Sequence, residues 1–300
     1  MNILLTIVFS ILPVIIILSL IYNVEEVKKQ PFWMIAVLFI GGILSWVLVR
    51  YISNLLGSDI YKSQVEVYSY VGDLGFFLVS FGIIAVIEEV SKFLIINICS
   101  VKNKNFTNSY DGIMYATCIS LGFAFVENIM YIMNYGMSVA VSRAIFSIPV
   151  HAAFGIMMGY YFGLGKMCKK EMTNDKMKMY YLAFFIPFLF HGLYDYLCNI
   201  KMPYINIILI VYVLFMYGFS IYLLVKLHKV DMKKIKRKRE EVLVYHPPKN
   251  NYKNMYYENI LPKEEAVNTN LKESNWKHSE NNEVIYEDNV VTVDMFKKND

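Results

Sequence analysis

The sequence predicts an all-α protein, a polytopic membrane helix bundle of about seven transmembrane helices. Three observations carry that prediction. Of 300 residues, 56% are hydrophobic and 18% charged, and the mean hydropathy is +0.40. The apolar residues fall in blocks about 20 residues long, the length of helix that crosses a hydrocarbon core of about 30 Å. Half of the 54 Lys, Arg, Asp and Glu residues lie after residue 226, so the rest of the chain carries little charge outside short gaps.

The first block, 3–22, has no basic n-region and no small-residue cleavage site before Asn23, so it is read as a helix rather than a signal peptide. The second is 32–52. The third, 74–98, contains FFLVSFGIIAVIEEVSKFLIINI, and the fourth, 113–133, contains FAFVENIMYIM. The fifth, 144–163, holds IFSIPVHAAFGIMMGYYFG, the sixth, 179–200, holds YYLAFFIPFLFHGLYDYL, and the seventh is 203–226. The run KLHKVDMKKIKRKRE follows. A basic run just after a last membrane helix anchors topology beside anionic lipid, and no nucleic-acid partner is expected. From about 240 the chain is rich in Asn, Lys, Glu and Tyr, too polar for a sizeable core, and is expected to be mostly disordered. The domain reading is therefore 1–229 as the membrane domain and 230–300 as basic juxtamembrane segment plus tail.

Basic residues orient the bundle. The first, third and fifth gaps together with the C-terminal run to Arg239 carry 17 Lys and Arg; the other gaps carry only Arg50, Lys62, Arg143 and Lys201. The positive-inside rule then places the N-terminus outside and the C-terminus in the cytoplasm. The four cysteines, Cys99, Cys118, Cys168 and Cys198, have no metal-type spacing and read as packing residues. There is no Gly-rich phosphate loop, no HExxH and no internal repeat.

Acid and imidazole stand where the bilayer should be. Glu88, Glu89, Glu127 and Asp195 lie in apolar blocks, with His151 and His191. A charge at mid-bilayer costs roughly 2.5–3.5 kcal/mol, so four carboxylates oppose insertion by on the order of 10 kcal/mol. Packing has no need of them; chemistry or ion movement does. Glu88 and Lys92 are four apart and share a helix face, which expects them to pair and leaves Glu89, about 100° away, for another partner. The two adjacent carboxylates supply a general acid and a general base from one turn. Phe123, Glu127 and Tyr131 form one stripe with Asn128 beside it, and Asn128 can hold a carboxylate or polarise a carbonyl. His151 begins a stripe continued by Gly155, Gly159 and Gly163, a ladder that admits a close neighbouring helix. His191 and Asp195 share a face, the spacing with which a carboxylate fixes an imidazole tautomer. At 1.5 Å per residue, Glu127, His151 and His191 lie about 9, 10 and 13 Å from the outer ends of their helices and Glu88 about 18–21 Å, so the cluster leans outward.

EEVSK (Glu88 to Lys92) resembles the EExxK motif of the PrsW family of bacterial membrane proteases, within the wider superfamily of CAAX prenyl endopeptidases and bacteriocin-immunity proteins. FAFVEN (Phe123 to Asn128) is similar to its FxxxEN, His151 to its lone histidine, and HGLYD (His191 to Asp195) to its HxxxD. The resemblance covers roughly 74–200. It implies a protease of the bacterial cell membrane that makes the first cut in a single-pass anti-sigma factor, on the extracytoplasmic side, leading to release of an extracytoplasmic-function sigma factor. Carried over, Glu88 and Glu89 activate water, His151 and His191 bind or polarise the scissile carbonyl, and Glu127 and Asn128 complete the pocket. Lys92 and Asp195 support them. No cofactor is expected; two histidines and a carboxylate also suit Zn2+, which stays open. The alternatives are a CAAX-type prenyl-protein endopeptidase, which glutamate rather than histidine at 127 disfavours, and a proton- or ion-coupled transporter, which internal repeats would have supported.

Overall fold

The computed structural model describes residues 3–25, 28–55, 64–101, 103–169 and 172–245, without the side chains of 64–66 and 238–245. The tail from 246 to 300, expected to be disordered, lies outside them. The seven spans lie within the first of two units, Met1–Val242; the second is Leu243–Asp300. Among the described residues all regular structure is helical.

Seven helical stretches are long and apolar enough to cross a membrane. That is the form a chain must take where lipid offers the backbone no hydrogen-bond partners. They are α1 (Ile3–Val24), α2 (Phe32–Leu55), and α3 (Gln64–Val79) joined to α4 (Val86–Ser100) by a π-turn at Ser80–Ala85. Then come α5 (Tyr110–Tyr135), the three-residue α6 (Ala140–Ser142), and α7 (Ile148–Met167), entered through a second π-turn at Arg143–Ser147. Last are α8 (Thr173–Asn199) and α9 (Ile205–Tyr245). Every expected block is present, most of them longer than expected, although α8 stops one residue short at Asn199 and α9 starts two residues late at Ile205. The largest extension is in α9, which continues well beyond 226 so that the basic run up to Tyr245 is helical.

α5 is the axis of the bundle, its span far more buried than that of α1, α3–α4, α8 or α9. It packs against α7, α2 and α1. The glycine stripe explains the tightest of these contacts. A Cβ on Gly155 would stand 2.7 Å from Thr117 Cα, and one on Gly159 would stand 2.5 Å from Ile113 Cα, so only glycine lets the α5 and α7 backbones approach this closely. Outward-facing Ile, Leu, Val and Phe on α1, α2 and α9 are exposed, as a lipid-facing surface requires.

The N-terminal end of α5 is fastened by polar groups. Asn108 and Asp111 exchange hydrogen bonds reciprocally, each accepting the other's backbone N–H at 2.9 Å. Asp231 of α9 accepts the Tyr110 N–H at 2.8 Å, and the Tyr110 hydroxyl donates to the Ile21 carbonyl at 3.0 Å. Glu25, in the α1–α2 connection, is buried beside this cluster. Burial, reinforced by the charge of Asp111, pushes its carboxyl up to about 8.

Candidate active site

At 1.5 Å per residue, Glu127 lies about 25 Å along α5 from that fastened end. Around it, four helices bring the singled-out side chains together. The π-turn before α4 adds a residue to the helical path and delivers Glu88 and Glu89 at the first turn of the following α-helix. Pro149 falls in the first turn of α7, and the Tyr217 hydroxyl of α9 reaches the Ile145 and Phe146 carbonyls of the preceding turn; His151 follows it. α8 carries His191 and Asp195 on one face.

Glu88, Glu89 and Lys92 are all buried to 1% exposure or less. The pairing differs from the expectation that Lys92 would join Glu88 and leave Glu89 for another partner. The Lys92 ammonium lies 2.7 Å from Glu89 Oε1 and 3.6 Å from Glu88 Oε2. The same Glu89 oxygen is 2.7 Å from His191 Nδ1. Positions three apart share a helix face as well as positions four apart do, and the approach of α8 decides which carboxylate takes the cations. The expected His191–Asp195 pairing is also looser than a hydrogen bond: His191 Nε2 is 3.4 Å from Asp195 Oδ2 and 3.7 Å from Glu88 Oε2. One edge of the imidazole is thus fixed by Glu89, and the other faces two carboxylates at 3.4 and 3.7 Å.

A second cluster adjoins the first. Glu127 Oε2 receives His151 Nε2 at 3.0 Å and Arg143 Nη2 at 2.7 Å. Arg143 Nε donates to Asn128 Oδ1 at 3.1 Å, and its guanidinium lies 3.6 Å from the Tyr131 ring centre. Asn128 donates in turn to the Ser10 hydroxyl of α1 at 3.0 Å, so its amide is spent on helix-to-helix bonding. With Glu127 taking the Nε2 proton of His151, Nδ1 of that ring is left as a buried acceptor without a hydrogen-bond partner. The clusters meet ring to ring. The His151 and His191 centroids are 5.6 Å apart at 83°, Phe154 stacks on His191 at 4.7 Å, and Lys92 lies 4.4 Å from the Phe123 ring centre.

Each of the singled-out residues Glu88, Glu89, Glu127, His151 and His191 therefore belongs to one contiguous buried network, with Lys92 and Asp195 inside it and Asn128 at its edge. Four carboxylates face two permanent cations and two imidazoles, a composition able to hold a water, move its proton and receive a carbonyl oxygen. Among the described residues no group of three or more His, Cys, Asp or Glu side chains is drawn into a metal-binding arrangement. Sequence reasoning missed Arg143, counting it as a gap residue outside the fifth block. The signal was present: an arginine inside the 31-residue apolar span Met137–Met167 carries an insertion cost, as the glutamates do.

Comparison with known proteins agrees with this geometry. The model of a family described as PrsW family intramembrane metalloprotease matches residues 30–223. A protein named Protease PrsW from Oceanobacillus iheyensis is 36% identical over 188 residues, 63% of this chain and 80% of the relative. Proteins of the same name from Clostridioides difficile and Bacillus subtilis are each 30% identical, over 71% and 75% of this chain and 87% and 97% of their own lengths. No solved structure matches the chain. All four sequence motifs lie within the matched region, and the chain belongs to the PrsW family of intramembrane metalloproteases.

Proposed function

We propose that this membrane peptidase makes the first cut in a single-pass anti-sigma factor, with Glu88, Glu89, Glu127, His151 and His191 as its hydrolytic site. The observation that supports this most is the convergence of two glutamates and a histidine from α4 and α8 on a second glutamate–histidine pair from α5 and α7, all inside the membrane span. Burying such groups is costly, and the arrangement has the acid, base and carbonyl-binding parts that peptide hydrolysis needs.

Glu89 is committed to Lys92 and His191, so the general base is Glu88. A water held beside Glu88 Oε2, His191 Nε2 and Asp195 Oδ2 gives a proton to Glu88 as its oxygen attacks the scissile carbonyl carbon. His191, in its doubly protonated form with Nδ1–H on Glu89, donates Nε2–H to the developing oxyanion. Glu88 then passes the proton to the leaving amide nitrogen as the C–N bond breaks, and the carboxylate is regenerated. His151, oriented by Glu127, borders the substrate with its Nδ1 lone pair.

The family description includes a metal, and the donor chemistry fits one. His151 Nδ1 is a buried acceptor without a hydrogen-bond partner, and His191 and Glu88 are ligand types that Zn2+ takes. Those three residues would hold it, with His191 then neutral and its Nε2 a ligand instead of a donor, and Glu88 a ligand instead of the base. When bound, it would polarise the scissile carbonyl and make the attacking water more acidic.

The proposed orientation has the N-terminus outside and the C-terminus in the cytoplasm of a bacterial cell. With Arg143 drawn against Glu127 inside the bundle, the basic-residue imbalance becomes steeper than the gap count gave. Mapping cut sites by mass spectrometry in co-expressed single-pass anti-sigma proteins tests the substrate reading. A new extracytoplasmic-side terminus that depends on this protein is expected. Cutting of unrelated membrane proteins with every anti-sigma protein left intact would overturn it.

A further inference from the structure

Arg143 costs more to place in the membrane than any packing role repays, and its surroundings are specific. It sits at the start of the π-turn that precedes α7. In an ideal α-helix, residues eight apart point about 80° away from one another. The wider π-turn takes up that offset, so Arg143 and His151 both reach the same oxygen of Glu127, at 2.7 and 3.0 Å. The guanidinium is engaged on three sides by one stretch of α5. Nη2 is on Glu127, Nε is on Asn128, and the ring of Tyr131 lies beneath the plane. A planar fork with a stackable face meets all three at once; an ammonium would not.

The consequence falls on His151. Glu127 can accept the Nε2–H hydrogen bond of His151 and leave Nδ1 open only while it is held still as an acceptor. Inside a bilayer a lone carboxylate does not stay so unaided. Of the groups around the pair, Lys92 on α4 is engaged by Glu89 and Glu88. His191 on α8 faces Glu88, Glu89 and Asp195, and Tyr131 on α5 is under the guanidinium. Arg143 is the cation in direct contact with Glu127. A buried ion pair by itself adds little net stability, so stability alone does not account for it.

We propose that Arg143 is a positioning residue of the hydrolytic site: it clamps Glu127 so that this carboxylate holds the His151 ring with Nδ1 toward the substrate. The inference rests on the assignment of Glu127 and His151 to that site. The test uses full-length wild type, Arg143→Ala, Arg143→Lys, Glu127→Gln, His151→Ala and the double variant Arg143→Ala/Glu127→Gln. Each is brought to matched membrane levels, and initial rates of cutting are measured against increasing single-pass reporter substrate. Arg143→Ala is expected to lower kcat about 10–100-fold, the usual effect of losing a group that orients a reacting histidine. KM should stay within about threefold, because no contact with substrate is lost. Arg143→Lys should recover part of the rate, since charge returns without the fork. The double variant should be no slower than Glu127→Gln alone, because Arg143 acts through that carboxylate. Wild-type kcat in Arg143→Ala would overturn the inference, as would losses that simply add in the double variant. If Glu127→Gln and His151→Ala both cut at the wild-type rate, the site assignment itself fails. If they are slow while Arg143→Ala is not, only the role of Arg143 fails.

Discussion

Glu88 and Glu89 are neighbours in sequence with equal burial, yet replacing each by glutamine should have very different structural effects. Glu89 Oε1 holds both the Lys92 ammonium and His191 Nδ1 at 2.7 Å. The amide of Glu89→Gln withdraws the charge from both and leaves Lys92 with Glu88 at 3.6 Å as its remaining nearby counter-ion. Breaking a buried pair from one side costs about 3–5 kcal/mol. Glu88 stands 3.6 Å from the Lys92 ammonium and 3.7 Å from His191 Nε2, so the ion pairs that Glu88→Gln disturbs are longer and should cost less, on the order of 1 kcal/mol. For a domain of this size each kcal/mol moves Tm by roughly 2–4 °C. Glu89→Gln should therefore melt roughly 6–20 °C below wild type and Glu88→Gln within a few degrees of it. The assay is thermal unfolding of the full-length proteins in a mild detergent, followed by intrinsic fluorescence. Equal shifts, or a larger shift for Glu88→Gln, would refute the assignment of Lys92 and His191 to Glu89.

Gly159→Val should separate α5 from α7, because its Cβ meets backbone at 2.5 Å from Ile113 Cα and 2.7 Å from the Gly112 carbonyl carbon. A loss of about 3 kcal/mol or more is expected by thermal unfolding, against little change for Gly218→Ala, whose Cβ enters open space. Glu25 holds its proton up to about 8 in the fold and only to the ordinary carboxylate range when unfolded. Its favourable contribution is therefore full below about 4.5 and lost as pH rises through about 8. Tm should fall over that window, and Glu25→Gln should flatten the fall; identical slopes would contradict this. Truncation after Glu241 should leave cutting of a co-expressed substrate unchanged at matched membrane levels, because every proposed site residue precedes residue 200 and Asp231 retains its bond to Tyr110.

The helices were legible because a bilayer imposes one solution on each apolar block, and the members of the candidate site stood out because ionisable groups there carry an insertion cost. What periodicity in one helix leaves open is which neighbour approaches each face. Glu88 and Glu89 both lie within reach of Lys92. The approach of His191 on α8, a hundred residues away, decides that Glu89 is the shared acceptor. Arg143 escaped for a related reason: its block was expected to begin at 144, and the irregular 137–147 approach with its π-turn lengthens the span inward. The glycine stripe on α7 was readable as a close-packing face, but its partner backbone, 109–117 on α5, was not. The docking of Asp231 onto the N-terminal end of α5 was beyond reach too, since a lone acid in a basic run carries no signal of a partner 121 positions earlier.

The central claim is that one buried network of glutamate and histidine hydrolyses the substrate. The most direct measurement is cutting of a co-expressed single-pass anti-sigma substrate by Glu88→Gln, Glu89→Gln and His151→Ala at matched membrane levels. Each variant is expected to accumulate in the membrane and leave the substrate intact. Cutting at the wild-type rate by any one would remove that residue from the site, and wild-type rates in all three would contradict the account.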